Sequence, residues 1–329
     1  MYRVQVYNAE YYMPWNEFVS RSKNGTFLFH RDFIEYHKDR FQDFSLLIFE
    51  GQKLVALLPA NKAGDVVHSH QGLTYGGLVI NSNAKLANVV AILKAVLAYL
   101  NDNNVTTLYT KTIPHIYHQI PAEELEYALF IANAKLVRRD AMSVIENTYA
   151  IKVASNRMEG VKKGIANNLK VQESDDFEDF WQQVLEPNLL AKHEAKPVHT
   201  VDEILKLKAL FPNNIKLYTV SYNNAIAAGT VIFETDTVAH AQYISANADK
   251  GETGSLDFLY HHLITKVYAD KKYFDFGISN EQQGRKLNQG LAFWKESFGA
   301  RTIAHNFYEV QTADYHLLDT ILFNSGTNL

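Results

Sequence analysis

FDFGISNEQQGRKLNQGLAFWKESFGAR, residues 274–301, runs from a short apolar segment into a glycine, several side-chain amides and a basic pair, then into a stretch with helical spacing. With Tyr273 in front, its first residues read as a strand, YFDF (273–276). The carboxyl end of that strand opens into Gly277–Gly284, and loops at such ends commonly hold ligands in open α/β sheets. The spacing predicts a helix over 284–298, whose free N–H groups favour an anionic or carbonyl oxygen. Arg285 and Lys286 then fall in its first turn, where the helix dipole disfavours cations and an anionic ligand would offset the cost. Leu287, Leu291, Trp294 and Phe298 recur at helical spacing and should face a core. Arg285, Asn288, Ala292 and Lys295 form a neighbouring stripe over about 15 Å at the helical rise, enough to line an extended substrate. A solvated edge of an amphipathic helix carries the same pattern.

Working outward, the periodicity gives one order of elements twice. In the first half YRVQVY (2–7) alternates like a strand, with short helices near 14–22 and 30–38. FSLLIF (44–49) and KLVALLPA (53–60) flank a Glu50-Gly51 turn as a β-hairpin, and a short strand follows near 65–69. The next helix carries Leu86, Val89, Val90, Leu93, Val96, Leu97 and Leu100 on one face. VTTLYT (105–110) reads as a strand, 122–132 as a helix and 135–145 as a strand. The second half repeats this with a strand at 147–153 and helices near 157–168, 176–192 and 201–210. A meander over 215–221, 227–234 and 237–245 follows, then a helix near 255–270, the 273–276 strand, the 284–298 helix and a strand at 301–308. Each half reads β-α-α-β-β-β-α-β-α-β, the second with an extra helical insertion. We therefore expect two tandem α/β (α+β) domains, 1–146 and 147–329, packed closely, each a mixed sheet covered by helices.

Composition narrows the function. The chain has 329 residues, 47% apolar and 21% charged, with a formal net charge of −4. No basic excess supports nucleic-acid binding. The absence of cysteine excludes disulfides, thiolate metal sites and cysteine nucleophiles. MYRVQVYNAE lacks the apolar run of a signal peptide, and the apolar stretch Ala87–Leu100 is too short to span a bilayer. A soluble cytoplasmic protein is the expectation.

A second stretch, HSHQGLTYGGLVI (68–80), places His70, Tyr75 and three glycines ahead of the long helix. One reading is a tight loop in which Tyr75 packs; the other is a loop lining a substrate groove between the halves. No HExxH or matching carboxylate spacing supports a metal there. GxGxxG, GxxxxGK[ST] and GxSxG are all missing. Lys250, Gly251 and Gly254 lead into a helix where a CoA enzyme would cradle pyrophosphate, at a loose spacing. The acidic cluster Asp175, Asp176, Glu178 and Asp179 suits a helix start.

The doubled order resembles two GNAT acyltransferase domains in tandem. FDFGI…QGLAFWKESFG is similar to the signature of the Fem peptidoglycan aminoacyltransferases, through Asp275, Gly277, Gly290, Leu291, Trp294, Lys295, Phe298 and Gly299. Trp294 stands where that family usually has Phe, and the closer likeness is to Fem-related, GNAT-like bacterial proteins. The resemblance implies passage of an acyl group from aminoacyl-tRNA or acyl-CoA, used as co-substrate, to an amine acceptor of a cell-envelope, peptide or sugar-linked molecule. It makes Lys295 the residue that stabilises negative charge on the tetrahedral intermediate or on a substrate phosphate, and Asp275 one that positions a partner or simply caps the structure next to Gly277. Asn280, Gln283 and Asn288 would orient the acceptor, and Arg285 would hold an anionic group. Fem enzymes often carry a coiled-coil arm; no long charged heptad stretch occurs here, and the acidic balance gives tRNA no independent support. The rival readings are a catalytically inactive GNAT-like ligand-binding module and a protein-interaction module.

Overall fold

The computed structural model describes residues 2–150, 152–193 and 196–319. In chain order it begins with β1 (Tyr2–Val6), α1 (Tyr12–Arg21), α2 (Arg31–Glu35), β2 (Gln42–Asp43), β3 (Leu46–Glu50), β4 (Lys53–Leu58), β5 (Asn61–Ala63) and β6 (Val66–His68). Then come β7 (Val79–Ile80), α3 (Leu86–Asp102), β8 (Thr107–Lys111), α4 (Glu124–Ile131) and β9 (Lys135–Glu146). The next part holds α5 (Ser155–Ala166), β10 (Val171–Ser174), α6 (Phe177–Phe180), α7 (Glu186–His193), α8 (Val201–Leu210), β11 (Ile215–Tyr222), β12 (Ala225–Glu234) and β13 (Val238–Ala246). Last are α9 (Lys250–Thr253), α10 (Ser255–His262), β14 (Tyr273–Ile278), β15 (Asn280–Glu281), β16 (Lys286–Leu287), α11 (Gln289–Glu296) and β17 (Arg301–Gln311).

The chain divides into two compact units, Met1–Arg139 with Ala304–Leu329, and Asp140–Ile303. In the first, β1, β3, β4 and β7 form an antiparallel sheet, and β8 carries parallel β6 on one edge and antiparallel β17 on the other. Its core is aliphatic. The α3 face lies in it with Val89, Val90, Leu93, Val96, Leu97 and Leu100 all buried, while Leu86 at the helix start is exposed. In the second unit β10, β11, β12 and β13 are antiparallel neighbours, β14 runs parallel to β13, and residues 142–146 of β9 pair antiparallel with β14. Its core is aromatic: Tyr260, Phe274, Phe276 and Phe298 are buried with Trp294 against them. Ring centroids there, such as Tyr260–Phe276 at 5.2 Å and Trp294–Phe298 at 5.3 Å, are at the separations that aromatic pairs favour.

The duplication is visible in the registers. Each unit runs an antiparallel series into a strand (β6 or β13), crosses through a helix (α3 or α10), and lays the next strand parallel beside it. Parallel pairing covers Val66–His68 against Thr107–Tyr109 in one unit and Val238–His240 against Tyr273–Asp275 in the other. Two units of mixed, mostly antiparallel sheet flanked by helices describe the architecture.

Several expectations need correction. The division differs from 1–146 and 147–329, because the last strand of each half pairs in the other unit: β9 with β14, and β17 with β8. The expected strand at 147–153 is absent among its described residues; a turn follows Glu146, and the Asn147 side chain donates to the Tyr268 and Lys271 carbonyls. Strand β10 was not anticipated. The helix near 255–270 ends in a π-helical turn at Leu263–Val267. The helix expected from 284 begins at Gln289, because Gln282, Gln283 and Gly284 have φ of 50°, 52° and 87°, incompatible with a right-handed helix. They turn the small hairpin β15–β16. Arg285 and Lys286 are therefore outside the helix, and the dipole argument for an anion at that position falls. Leu287 and Leu291 are exposed, so only Trp294 and Phe298 of the expected apolar stripe join the core.

Candidate active site

The pairing of β13 with β14 ends on His240 and Asp275. Beyond it β13 continues to Ala246, still paired with β12, and β14 continues to Ile278 on β9. Where parallel strands part, backbone groups on their facing edges lose their ladder partners, and a ligand can take their place.

Residues from α11 and both strands converge at this parting. Asp275 is fully buried; one carboxylate oxygen accepts the Gly277 N–H at 2.7 Å, and the other lies 2.8 Å from Nδ1 of His240. Gly277 has φ of 73°, a left-handed conformation that interrupts the β9–β14 register between Asp275 and Ile278. A Cβ at Gly277 would meet Cε1 of His240 at 3.4 Å, so the imidazole sits over this turn. Lys295, only 2% exposed, reaches back from α11 to donate to the carbonyls of Gly277 at 3.1 Å and Ile278 at 2.6 Å. Burial lowers its pKa to about 8, with the Asp275 charge opposing the shift. A cation, a carboxylate and an imidazole thus surround one left-handed glycine. Such an arrangement can hold a carbonyl oxygen, orient a nucleophile and accept a proton.

Other residues singled out in the sequence serve different ends. Asn280 donates to Asp140 at 2.9 Å and accepts from the Ala141 N–H at 2.6 Å, fixing β9. Asn288 caps α11, its side chain accepting from the Leu291 N–H at 3.0 Å while its amide donates to Glu281 at 2.9 Å. Gln283 and Arg285 are exposed on the β15–β16 hairpin. His70 and Tyr75 belong to the first unit and are buried there, Tyr75 donating to Thr26 at 2.9 Å. Burial lowers the His70 pKa to about 3, with His37 adding to the effect.

Lys250 and Gly251 are exposed, and the Gly251 carbonyl accepts from Lys163 at 2.7 Å. Gly254 is buried with φ of 70°, and a Cβ there would come within 2.0 Å of the Gly160 carbonyl in α5. Packing against α5 accounts for this glycine. Among the described residues no group of histidines and carboxylates could hold a metal ion.

No family model and no curated protein matches the sequence. Among solved structures the chain is similar to FemX, with a TM-score of 0.65 and 9% identity over 98% of this chain and 100% of that one. It is also similar to L-PGS from Bacillus licheniformis, with a TM-score of 0.60 and 10% identity over 97% of this chain and 98% of that one. A tandem GNAT protein from the clavulanic acid biosynthesis pathway matches at a TM-score of 0.55 and 9% identity, over 95% of this chain and 99% of that one. The fold is of the Fem-like, tandem GNAT type. At these identities the likeness concerns the fold alone.

Within this Fem-like fold, His240 is the member of the candidate site that sequence reading missed. A signal for it existed: two strands joined through a helix lie parallel and adjacent, which brings residues early in 237–245 beside 273–276. The exact register is set by tertiary packing, and only the structure shows it.

Proposed function

We propose that this protein transfers an acyl or aminoacyl group from an activated carrier, an acyl-CoA or an aminoacyl-tRNA, to an amine of a peptide, cell-envelope or sugar-linked acceptor. The observation that carries this reading is the parting of β13 and β14 immediately after His240 and Asp275, with the Lys295 ammonium on the adjoining carbonyls. The opened edges offer backbone groups to a donor, and the acyl carbonyl lies at the parting point. Asp275 and Lys295 hold the Gly277 turn rigid, so the charges at the site need little reorganisation during reaction. Lys295 also supplies positive charge, in a setting shielded from water, for the oxygen of the tetrahedral intermediate. The tandem GNAT fold supports the same reading. The net charge of −4 gives a tRNA donor no support of its own.

The test is a transfer assay with radiolabelled acetyl-CoA and a set of radiolabelled aminoacyl-tRNAs, against amine-bearing peptides and amino sugars. Label is expected to move from one donor class into an amide-linked product. No label transfer, accompanied by marked ligand-dependent thermal stabilisation, would identify a binding module instead.

A further inference from the structure

We infer that His240 is the proton acceptor of this transfer and that Asp275 is its positioning residue. The inference rests on the acyl-transfer reading above. Acylation of an amine releases a proton from nitrogen, and catalysis is faster when a group within hydrogen-bond reach receives it.

His240 has the setting of an oriented base. Its Nδ1 lies 2.8 Å from the Asp275 carboxylate, which is fully buried and already accepts the Gly277 N–H. A carboxylate can only accept, so Nδ1 carries the hydrogen, and in the neutral imidazole Nε2 then presents its lone pair. Nε2 has no hydrogen bond among the described residues, yet it is not among the buried unpartnered atoms, and the side chain keeps 12% exposure. One nitrogen is thus fixed inside the protein while the other is open at the point where the strands part. Asp275 from β14 is the charged group bonded to the imidazole, and Lys295 from α11 donates to the carbonyl of the Gly277 turn beside it.

The first unit provides an internal comparison. Its equivalent parallel register ends on His68, but the residue opposite is Tyr109, with ring centroids 5.4 Å apart. There the chain's own loop continues across the gap. Ser69 N–H donates to Tyr109, Lys111 N–H to the Ser69 hydroxyl, and Gly76 N–H to Lys111. The same histidine position lacks a carboxylate in one copy and has a buried one in the other. Only the second copy is built to hold an imidazole in a single tautomer.

The chemistry balances. The amine nitrogen forms its bond to the acyl carbon as its proton passes to Nε2. Collapse of the tetrahedral intermediate breaks the bond to the carrier sulfur or oxygen, and the imidazolium returns the proton to that leaving atom. The products are an amide and a free thiol or hydroxyl.

The experiment measures transfer by the full chain, with acetyl-CoA and aminoacyl-tRNAs as donors, for wild type, His240→Gln, His240→Gly and His68→Gln. His240→Gln is expected to lower kcat by about 10²–10⁴-fold, imidazole in solution to restore part of the His240→Gly rate, and His68→Gln to retain activity. Wild-type transfer with an undiminished His240→Gln rate would overturn the inference alone. No transfer by wild type would overturn the acyl-transfer reading and this inference with it. Should the His240 variants fail to fold, ¹⁵N NMR of the wild-type imidazole decides, because an Nε2–H tautomer contradicts the proposal.

Discussion

The ammonium of Lys295 lies 2.6 Å from the Ile278 carbonyl oxygen, on a side chain only 2% exposed. A motif lysine that sequence spacing places on a polar helix edge is thus an internal tie between α11 and the end of β14. Its removal is expected to affect stability as well as transfer. Lys295→Ala leaves the Gly277 and Ile278 carbonyls without their donor and opens a void, at a cost of about 2–4 kcal/mol. Chemical denaturation beside the transfer assay measures both; an unchanged denaturation midpoint would show that the tie contributes nothing.

The same burial gives Lys295 a distinct pH signature. Its pKa falls from the ordinary 10.5 to about 8 in the folded protein. Between those values the unfolded chain binds the extra proton, so this residue's contribution to stability rises with pH across that window. Wild type is expected to gain stability relative to Lys295→Met between pH 8 and 10. A constant difference over that range would contradict the assignment.

In the first unit two buried histidines act on the acid side. Burial lowers His70 to about 3 and His118 to about 4, from an ordinary 6.5. Below pH 6.5 the unfolded chain takes up protons that the folded chain refuses, so stability falls as pH drops toward those values. His70 has φ of 62°, a conformation asparagine tolerates, so His70→Asn tests it without forcing the backbone. The variant is expected to show a shallower loss of denaturation midpoint between pH 6.5 and 4.5; a slope equal to wild type would remove His70 from the account.

The loop before α10 separates packing from ligand contact. Gly254→Ala places a methyl into the Gly160 carbonyl at a left-handed φ and is expected to cost more than about 2 kcal/mol. Gly251→Ala meets nothing within 4 Å and is expected to stay within about 0.5 kcal/mol of wild type. Thermal melts of the two variants decide. A loss of transfer by folded Gly251→Ala would return that residue to a donor-binding role.

Much of the fold is legible in local sequence. The α3 stripe, the 44–60 hairpin and the 215–245 meander follow from periodicity and turn residues, and Thr200 with Glu203 marks the α8 start as a capping box. Three features are not legible. The exchange of final strands is a choice among pairings of similar local character, which no alternation specifies. The late start of α11 depends on glutamines adopting left-handed φ, a conformation their residue type does not announce, although Asn288 before an apolar run was a usable cap signal. The partnership of His240 with Asp275 spans 35 positions and arises from parallel register. At the candidate site the Fem-like signature singles out Asp275 and Lys295, while their shared grip on Gly277 is not legible in it.

Asp275→Asn is nearly isosteric, and its effect on transfer tests the central claim most directly. Wild type is expected to form an amide product from an acyl-CoA or an aminoacyl-tRNA. In folded Asp275→Asn the rate should be at least about 100-fold lower, the scale of a mispositioned acid–base group. Transfer by Asp275→Asn at the wild-type rate, or none by the wild-type protein from either donor class, would contradict it.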